Sequence, residues 1–227
     1  MPILHIANKN YSSWSLRPWI LLKYFNVPFT ENRIILDAAD SKAKLRAISP
    51  TARVPVLEDG DVRVWESLAI MEYAADALAI PVWPADRAAR AAARSLAAEM
   101  HAGFMGMRSA MPMNLSKKFA GFDPGERARA DIARLSTLVD STRRRFGEDG
   151  PFLFGAFSAA DAMYLPLMTR LETYSVPLDG ALAAYSEAML SLPAYREWLS
   201  DAWNEPWLLA DDEIDAEPIQ VFGVAKT

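Results

Sequence analysis

The 227-residue chain contains no cysteine and only two histidines, His5 and His101. The first absence rules out disulfides, zinc–thiolate sites and a thiol nucleophile of the protein's own, and the second leaves a histidine-built metal site without a ligand set. Any sulfur chemistry has to arrive with a ligand, and no metal is expected. There is no apolar run of the roughly eighteen residues that a membrane-crossing helix needs. The opening "MPILHIANKN" has no basic segment followed by a long apolar one, so no signal peptide is expected and a cytoplasmic location is the default. Charge does not come in blocks either: the net charge of -5 arises from interspersed acids and bases, which speaks against nucleic acid or an anionic membrane as a partner. What is present is a globular composition, 52% hydrophobic and 23% charged, enough for one large or two small domains.

Two halves differ in periodicity. Up to about residue 78, short strand-like runs alternate with helical ones: "ILHIA" from Ile3, then "SLRPWILLKYF", "TENRIIL" and the helical "DSKAKLRAI". The pattern changes at "RVPVLEDGDVRVW", where Asp59-Gly60, a pair favoured in tight hairpins, separates Val54 and Val56 from Val62 and Val64. With the apolar-faced "ESLAIMEYAADAL" that follows, the order is β-α-β-α-β-β-α, as in a thioredoxin-like layer. After "AIPVWPADR", which reads as a linker, the strand signal disappears. Helices are expected from an Asp86 cap to about Met113, from Asp123-Pro124 to Phe146, and over Ser158 to Tyr174, Asp179 to Leu190 and Pro193 to Trp203. The expected organisation is an α/β thioredoxin-like domain over residues 1–79, a linker over 80–87 and an all-helical bundle over 88–227.

The stretch "NYSSWSLRPWI" raises the first chemical question, because Ser12, Ser13 and Ser15 crowd the entry to the first helix. Proline has no N–H and fits a helix without loss only in the first turn. Pro18 therefore dates the helix start: Ser15 is expected as the N-cap, with Pro18 third in the helix. Ser12 and Ser13 are then left before the helix N-terminus, where free N–H groups and the helix dipole favour an anion. A serine-rich turn alone carries no chemistry; other segments have to supply it.

Four segments together resemble the cytosolic glutathione S-transferases in their bacterial, serine-using form. "SSWSLRPW" is similar to the zeta-class serine motif, with Trp14 where that class has cysteine. "ARVPVLEDGDVRVWESLAIMEYAAD" resembles the family's glutathione-binding segment, and "GAFSAADAMYLPL" the helix-capping motif of its second domain. "AEMHAGFMGMRSAMPMN" looks like the long helix that lines the substrate cavity in many bacterial members. The resemblance implies a glutathione transferase, with glutathione as co-substrate bringing the missing thiol, small hydrophobic electrophiles as its targets, and a homodimer. A glutathione-dependent isomerase of the maleylacetoacetate kind, a peroxidase, and a non-catalytic binding or regulatory protein on the same fold are the alternatives.

The resemblance also assigns roles. Ser13, four residues before Arg17, is expected to hold the glutathione thiolate, with Ser12 as the near alternative and Tyr11 as a rival hydroxyl. The family implies a cis Val54–Pro55 bond that lets the Val54 backbone pair with the cysteinyl part of glutathione as an added strand would. Ser67 and nearby free N–H groups suit the γ-glutamyl carboxylate, Glu66 the α-ammonium, and Arg53 and Lys42 the glycyl carboxylate. His101, Met105 and Arg108 follow helical spacing with Phe104 and Met111, and are expected to wall the electrophile pocket with Tyr11 and Trp14. Arg17 is expected to partner local carboxylates. Ser158 and Asp161, at capping-box spacing, are assigned to folding. The C-terminal "DDEIDAEPIQVFGVAKT" is expected to pack over the cavity or lie loose.

Overall fold

The computed structural model describes residues 1–226. Four strands, β1 (Ile3–Ile6), β2 (Thr30–Arg33), β3 (Val56–Asp59) and β4 (Val62–Trp65), form a mixed sheet in the order β2-β1-β3-β4. β1 runs parallel to β2, with α1 (Ser13–Tyr24) as the crossover, and antiparallel to β3. Asp59 still pairs with Val62, so the β3–β4 hairpin turns at Gly60-Asp61. Gly60 supplies the left-handed backbone that such a two-residue turn requires, with φ +63°. Helices α2 (Ser41–Ile48) and α3 (Ser67–Ala77) complete the thioredoxin-like order expected from the sequence.

The rest is mostly helical: α4 (Arg87–Ala102), α5 (Met105–Ala110), α6 (Gly125–Phe146), α7 (Ala159–Thr173), α8 (Gly180–Leu190) and α9 (Pro193–Trp203). α7 is apolar nearly all round, a pattern that demands burial on every side, and of its residues only Glu172 is exposed. α1 packs directly on α7, so the two halves share one apolar core. The capping box before α7 forms as expected: Ser158 donates both its N–H and its hydroxyl to Asp161 Oδ2, each at 2.8 Å. Asp161 Oδ1 accepts two further bonds, from Leu153 N–H at 3.0 Å and the Tyr185 hydroxyl at 3.1 Å. Burial nevertheless outweighs these bonds and pushes the carboxyl up to about 6.

Local pattern misplaced three features. The expected single helix to Met113 is broken at Gly103 and Phe104, the latter left-handed with φ 56°. A side chain at Gly103 would come within 2.7 Å of the Glu99 carbonyl oxygen, so the chain can pass close to its own helix end here. Pro124 caps α6 instead of opening it, and Asp123 Oδ1 accepts the Gly125 N–H at 2.9 Å. The strands do not end with the first half either: β5 (Lys117–Lys118) pairs antiparallel with β6 (Gln220–Val221). Two-residue strands are too short to show a period.

β6 brings the C-terminal segment back onto the helical half. Phe222 stacks on Trp203 with centroids 5.1 Å apart. Glu213 accepts hydrogen bonds from the Tyr11 hydroxyl at 2.7 Å, Asn114 Nδ2 at 3.0 Å and Lys117 Nζ at 2.6 Å. No helix of the described residues is long and apolar enough to cross a membrane.

Candidate active site

The three serines divide their work differently from the expectation. Ser12, not Ser15, is the N-cap of α1: its Oγ accepts the Ser15 N–H at 3.4 Å and donates to Ser15 Oγ at 2.7 Å. Ser15 Oγ in turn accepts the Ala7 N–H at 3.1 Å, tying the end of β1 to the helix. Pro18 therefore lies well inside α1 and leaves the Trp14 carbonyl without its helical donor. The burial of Leu16, Trp19, Ile20, Leu21 and Leu22 outweighs that loss, since each contributes about 1.5–3 kcal/mol. The Ser13 hydroxyl alone of the three takes part in no hydrogen bond among the described residues, and it faces a cavity.

Two cavities adjoin at this point. The smaller, about 290 Å³, is walled by Thr51, Arg53, Val54, Pro55, Glu66, Ser67 and His101. The larger, about 440 Å³, is walled by Tyr11, Ser12, Ser13, Leu36, Leu45, Met105, Pro112, Met113, Arg170 and Asp212. Trp14, Arg53, Val54 and Arg108 face both, so the two are compartments of one cleft. The Val54–Pro55 bond is cis. Ser67 opens α3 and is fully buried, its hydroxyl meeting only Met163 Sδ at 3.9 Å, a weak partner that leaves it available to a ligand. Glu66, immediately before it, is held at φ 71°, a left-handed backbone that costs a residue with a side chain on the order of 1–3 kcal/mol.

Residues 11–77 match the family model of the glutathione S-transferase N-terminal domain. This segment is a glutathione S-transferase N-terminal domain. The chain is 28% identical over 200 residues to a probable maleylacetoacetate isomerase of Caenorhabditis elegans, covering 86% of this chain and 91% of that protein. With the maleylacetoacetate isomerase of Rattus norvegicus it shares 22% identity over 212 residues, 86% of this chain and 90% of that one. Its fold matches that of a glutathione transferase homolog from Burkholderia GL BGR1, solved with bound glutathione, at a TM-score of 0.67 and 23% identity, over 88% of this chain and 97% of that one.

Around this cleft several residues stand where the sequence pattern does not put them. The Tyr11 hydroxyl donates to Glu213 Oε1, and both burial and that carboxylate raise its pKa. Arg17 has no carboxylate partner among the described residues and is fully buried. Lys42 is exposed on α2 and lines neither cavity. His101 faces the smaller cavity, with Nε2 3.8 Å from Glu66 Oε2, and does not line the larger one. The helix break separates the expected stripe: Phe104 and Met111 turn into the core, while Met105 and Arg108 stay on the cleft.

Other wall residues of the cleft have no counterpart in the sequence reading. Arg170 is the one basic residue in the largely apolar run "DAMYLPLMTRLET", a signal that could have singled it out, whereas nothing local marks Thr51 or Asp212. Burial and the nearby Arg108 lower the Arg170 pKa to about 10, and burial also lowers that of Arg108. Asp212 is raised by its own burial.

Proposed function

We propose that this transferase binds glutathione across the smaller compartment and that the Ser13 hydroxyl donates to its sulfur, holding it as thiolate for attack on an electrophile in the larger one. The observation that carries this reading is Ser13 itself, whose hydroxyl is unengaged and faces the cleft beside Trp14 and Val54. The Val54 backbone takes the cysteinyl part of the tripeptide, Ser67 and the first turn of α3 its γ-glutamyl carboxylate, Glu66 its ammonium, and Arg53 its glycyl carboxylate. Residues 1–79 thus form the glutathione domain, and 88–227 supply the electrophile wall through Met105, Arg108, Met113 and Arg170.

An ordinary thiol, with a pKa near 8.5, is only a few per cent thiolate at neutral pH. A hydroxyl donor at a helix N-terminus favours the anion and raises that fraction. The sulfur lone pair then forms the C–S bond while a leaving group departs with its bonding electrons. Ser13 acts as a donor throughout and removes no proton.

Calorimetry of glutathione binding, with the ultraviolet thiolate absorbance of the complex at neutral pH, tests this. In Ser13→Ala the thiolate signal and the rate of conjugation should fall about 10- to 100-fold, the worth of one charge-assisted hydrogen bond. In Ser12→Ala the main effect should be loss of about 1 kcal/mol of stability from the lost cap. No binding in the parent protein, or an undiminished thiolate in Ser13→Ala, would overturn the assignment.

A second reading is favoured by Arg108 and Arg170, two cleft guanidiniums with no carboxylate at ion-pair distance among the described residues. They suit a carboxylate-bearing substrate better than a purely apolar one. Glutathione-dependent isomerisation fits the same site: the thiolate adds to one carbon of a double bond, the resulting single bond rotates, and expulsion of the thiolate restores the double bond in the other geometry. Turnover of a cis-alkene dicarboxylate without consumption of glutathione distinguishes it from conjugation.

The proposed assembly is a cytoplasmic homodimer. β4 is an edge strand that exposes Val62 at 41% and Trp65 at 42%, apolar surface that a second copy would cover. Trp65→Glu should sediment as a monomer where the parent sediments as a dimer; a monomeric parent would refute this.

A further inference from the structure

Arg17 is an unusual tenant of the α1 helix. Its side chain is fully buried, and each of its donors meets something other than a carboxylate. Nε reaches the Met163 carbonyl at 3.1 Å, Nη1 the Ser13 carbonyl at 2.8 Å, and Nη2 lies 3.1 Å from Met100 Sδ. The guanidinium carbon is 4.1 Å from the ring centroid of Trp14, and the Arg108 guanidinium is 4.8 Å from the same indole. No Asp or Glu forms an ion pair with Arg17 among the described residues, although the chain carries 29 acidic residues against 24 basic ones. A buried cation without a counter-ion is expensive, and a methionine could fill this volume beside Met100 and Met163.

The location gives the charge a use. Arg17 is hydrogen-bonded to the backbone of Ser13, which lines the larger compartment, and stacked on Trp14, which faces both. A charge held away from water acts through a low effective dielectric and is little screened by salt, so it reaches further than a surface charge. Burial, with the like charges of Arg170 and Arg108, pulls the Arg17 pKa down. Its ordinary value is so high that the group stays a cation.

We infer that Arg17 is the buried counter-charge of the glutathione thiolate, lying beneath Ser13 and Trp14 and reserved for an anion that only the ligand supplies. The inference rests on the proposed place of the sulfur at Ser13. Arg17 does not touch the sulfur; it acts through the field it sets there, as a positioning residue. If it merely tied α1 to the Met163 carbonyl of α7, its removal would change stability and leave the thiol alone.

The deciding experiment titrates the ultraviolet thiolate absorbance of bound glutathione against pH in the parent, Arg17→Met and Arg17→Lys. Arg17→Met should raise the thiol pKa by at least about one unit, a tenfold smaller thiolate fraction below that pKa, while Arg17→Lys keeps the charge and stays near the parent. A folded Arg17→Met that binds glutathione with the parent's thiol pKa would overturn the inference, as would Arg17→Lys shifting as far as Arg17→Met. A measurement on the parent stands independently of folding in the variants: raising salt from about 0.05 to about 0.5 M should leave the thiol pKa in place, because a buried charge escapes screening. A pKa that climbs with salt assigns the effect to surface charges and overturns the role of Arg17. A parent with no thiolate signal at all fails at the earlier step and removes the Ser13 assignment together with this one.

Discussion

Replacing Glu205 with alanine should cost about 3–5 kcal/mol of folding free energy and lower the melting midpoint by on the order of 10 °C. Glu205 is 1% exposed, and its carboxylate accepts the N–H of Lys9 at 2.8 Å, the N–H of Asn10 at 3.1 Å and Arg33 Nη1 at 2.9 Å. Truncation strands two buried backbone donors, each costing about 1–3 kcal/mol, and leaves Arg33 with the longer 3.5 Å ion pair to Glu31. The neighbouring charges have little slack to compensate. Lys9, also 1% exposed, has its ammonium between Glu31 at 2.7 Å and Asp201 at 2.6 Å, within 4.9 and 5.1 Å of the ring centroids of Trp19 and Trp198. The whole cluster clamps the loop from β1 to α1 against the end of α9. Because that loop leads into Ser12 and Ser13, the folded fraction of Glu205→Ala should also hold less thiolate. Chemical denaturation of the parent, Glu205→Ala, Arg33→Ala and the double variant measures it. The half-exposed Arg33 should account for only about 1 kcal/mol, and a Glu205→Ala loss below that figure would refute the clamp.

Asp161→Ala should be as damaging, at about 3–5 kcal/mol, since four donors converge on the carboxylate and all would lose their acceptor inside the core. The site also carries a pH signature. Burial holds the folded-state pKa at about 6, above the ordinary aspartate value, so the native state binds the proton more tightly than the unfolded chain. The associated stabilisation is fully present below about pH 4 and is lost as the pH rises through 6. Against the non-titrating Asp161→Asn, the parent's relative stability should therefore fall by up to about 3 kcal/mol between pH 4 and 7. A difference that grows with pH would show that the four hydrogen bonds outweigh burial.

Both predictions concern residues of different legibility. Asp161 was readable, because Ser158 three positions earlier marks a capping box and a cap is a local device. Glu205 was not, because its meaning lies in Lys9 and Asn10 at the opposite end of the chain. The serines show the same division within a single motif. The sequence places Ser12 and Ser13 at the entry to a helix, where an anion is favoured, but Ser12 and not Ser15 is the cap: Pro18 argues for a late helix start, and the burial of α1 in the shared core overrides that penalty. The long helix to Met113 failed for a related reason. Its apolar spacing is continuous, yet the chain departs at Gly103, where a close backbone approach is possible, and this sends Phe104 into the core while Arg108 remains on the cleft.

The amino-acid sequence by itself determined what local pattern can encode: the thioredoxin-like order of the first half, the helices of the second, the Val54–Pro55 and Glu66–Ser67 segments of the smaller compartment, and the need for a thiol from outside. Only the tertiary structure decided which serine hydroxyl is left unengaged, that Arg17 is buried without a carboxylate among the described residues, that Arg170 and Asp212 join the wall, and that the C-terminal segment returns to hold Tyr11. Each of these is set by contacts between residues distant in sequence, and packing that closes a cavity or strands a charge leaves no period for the sequence to display.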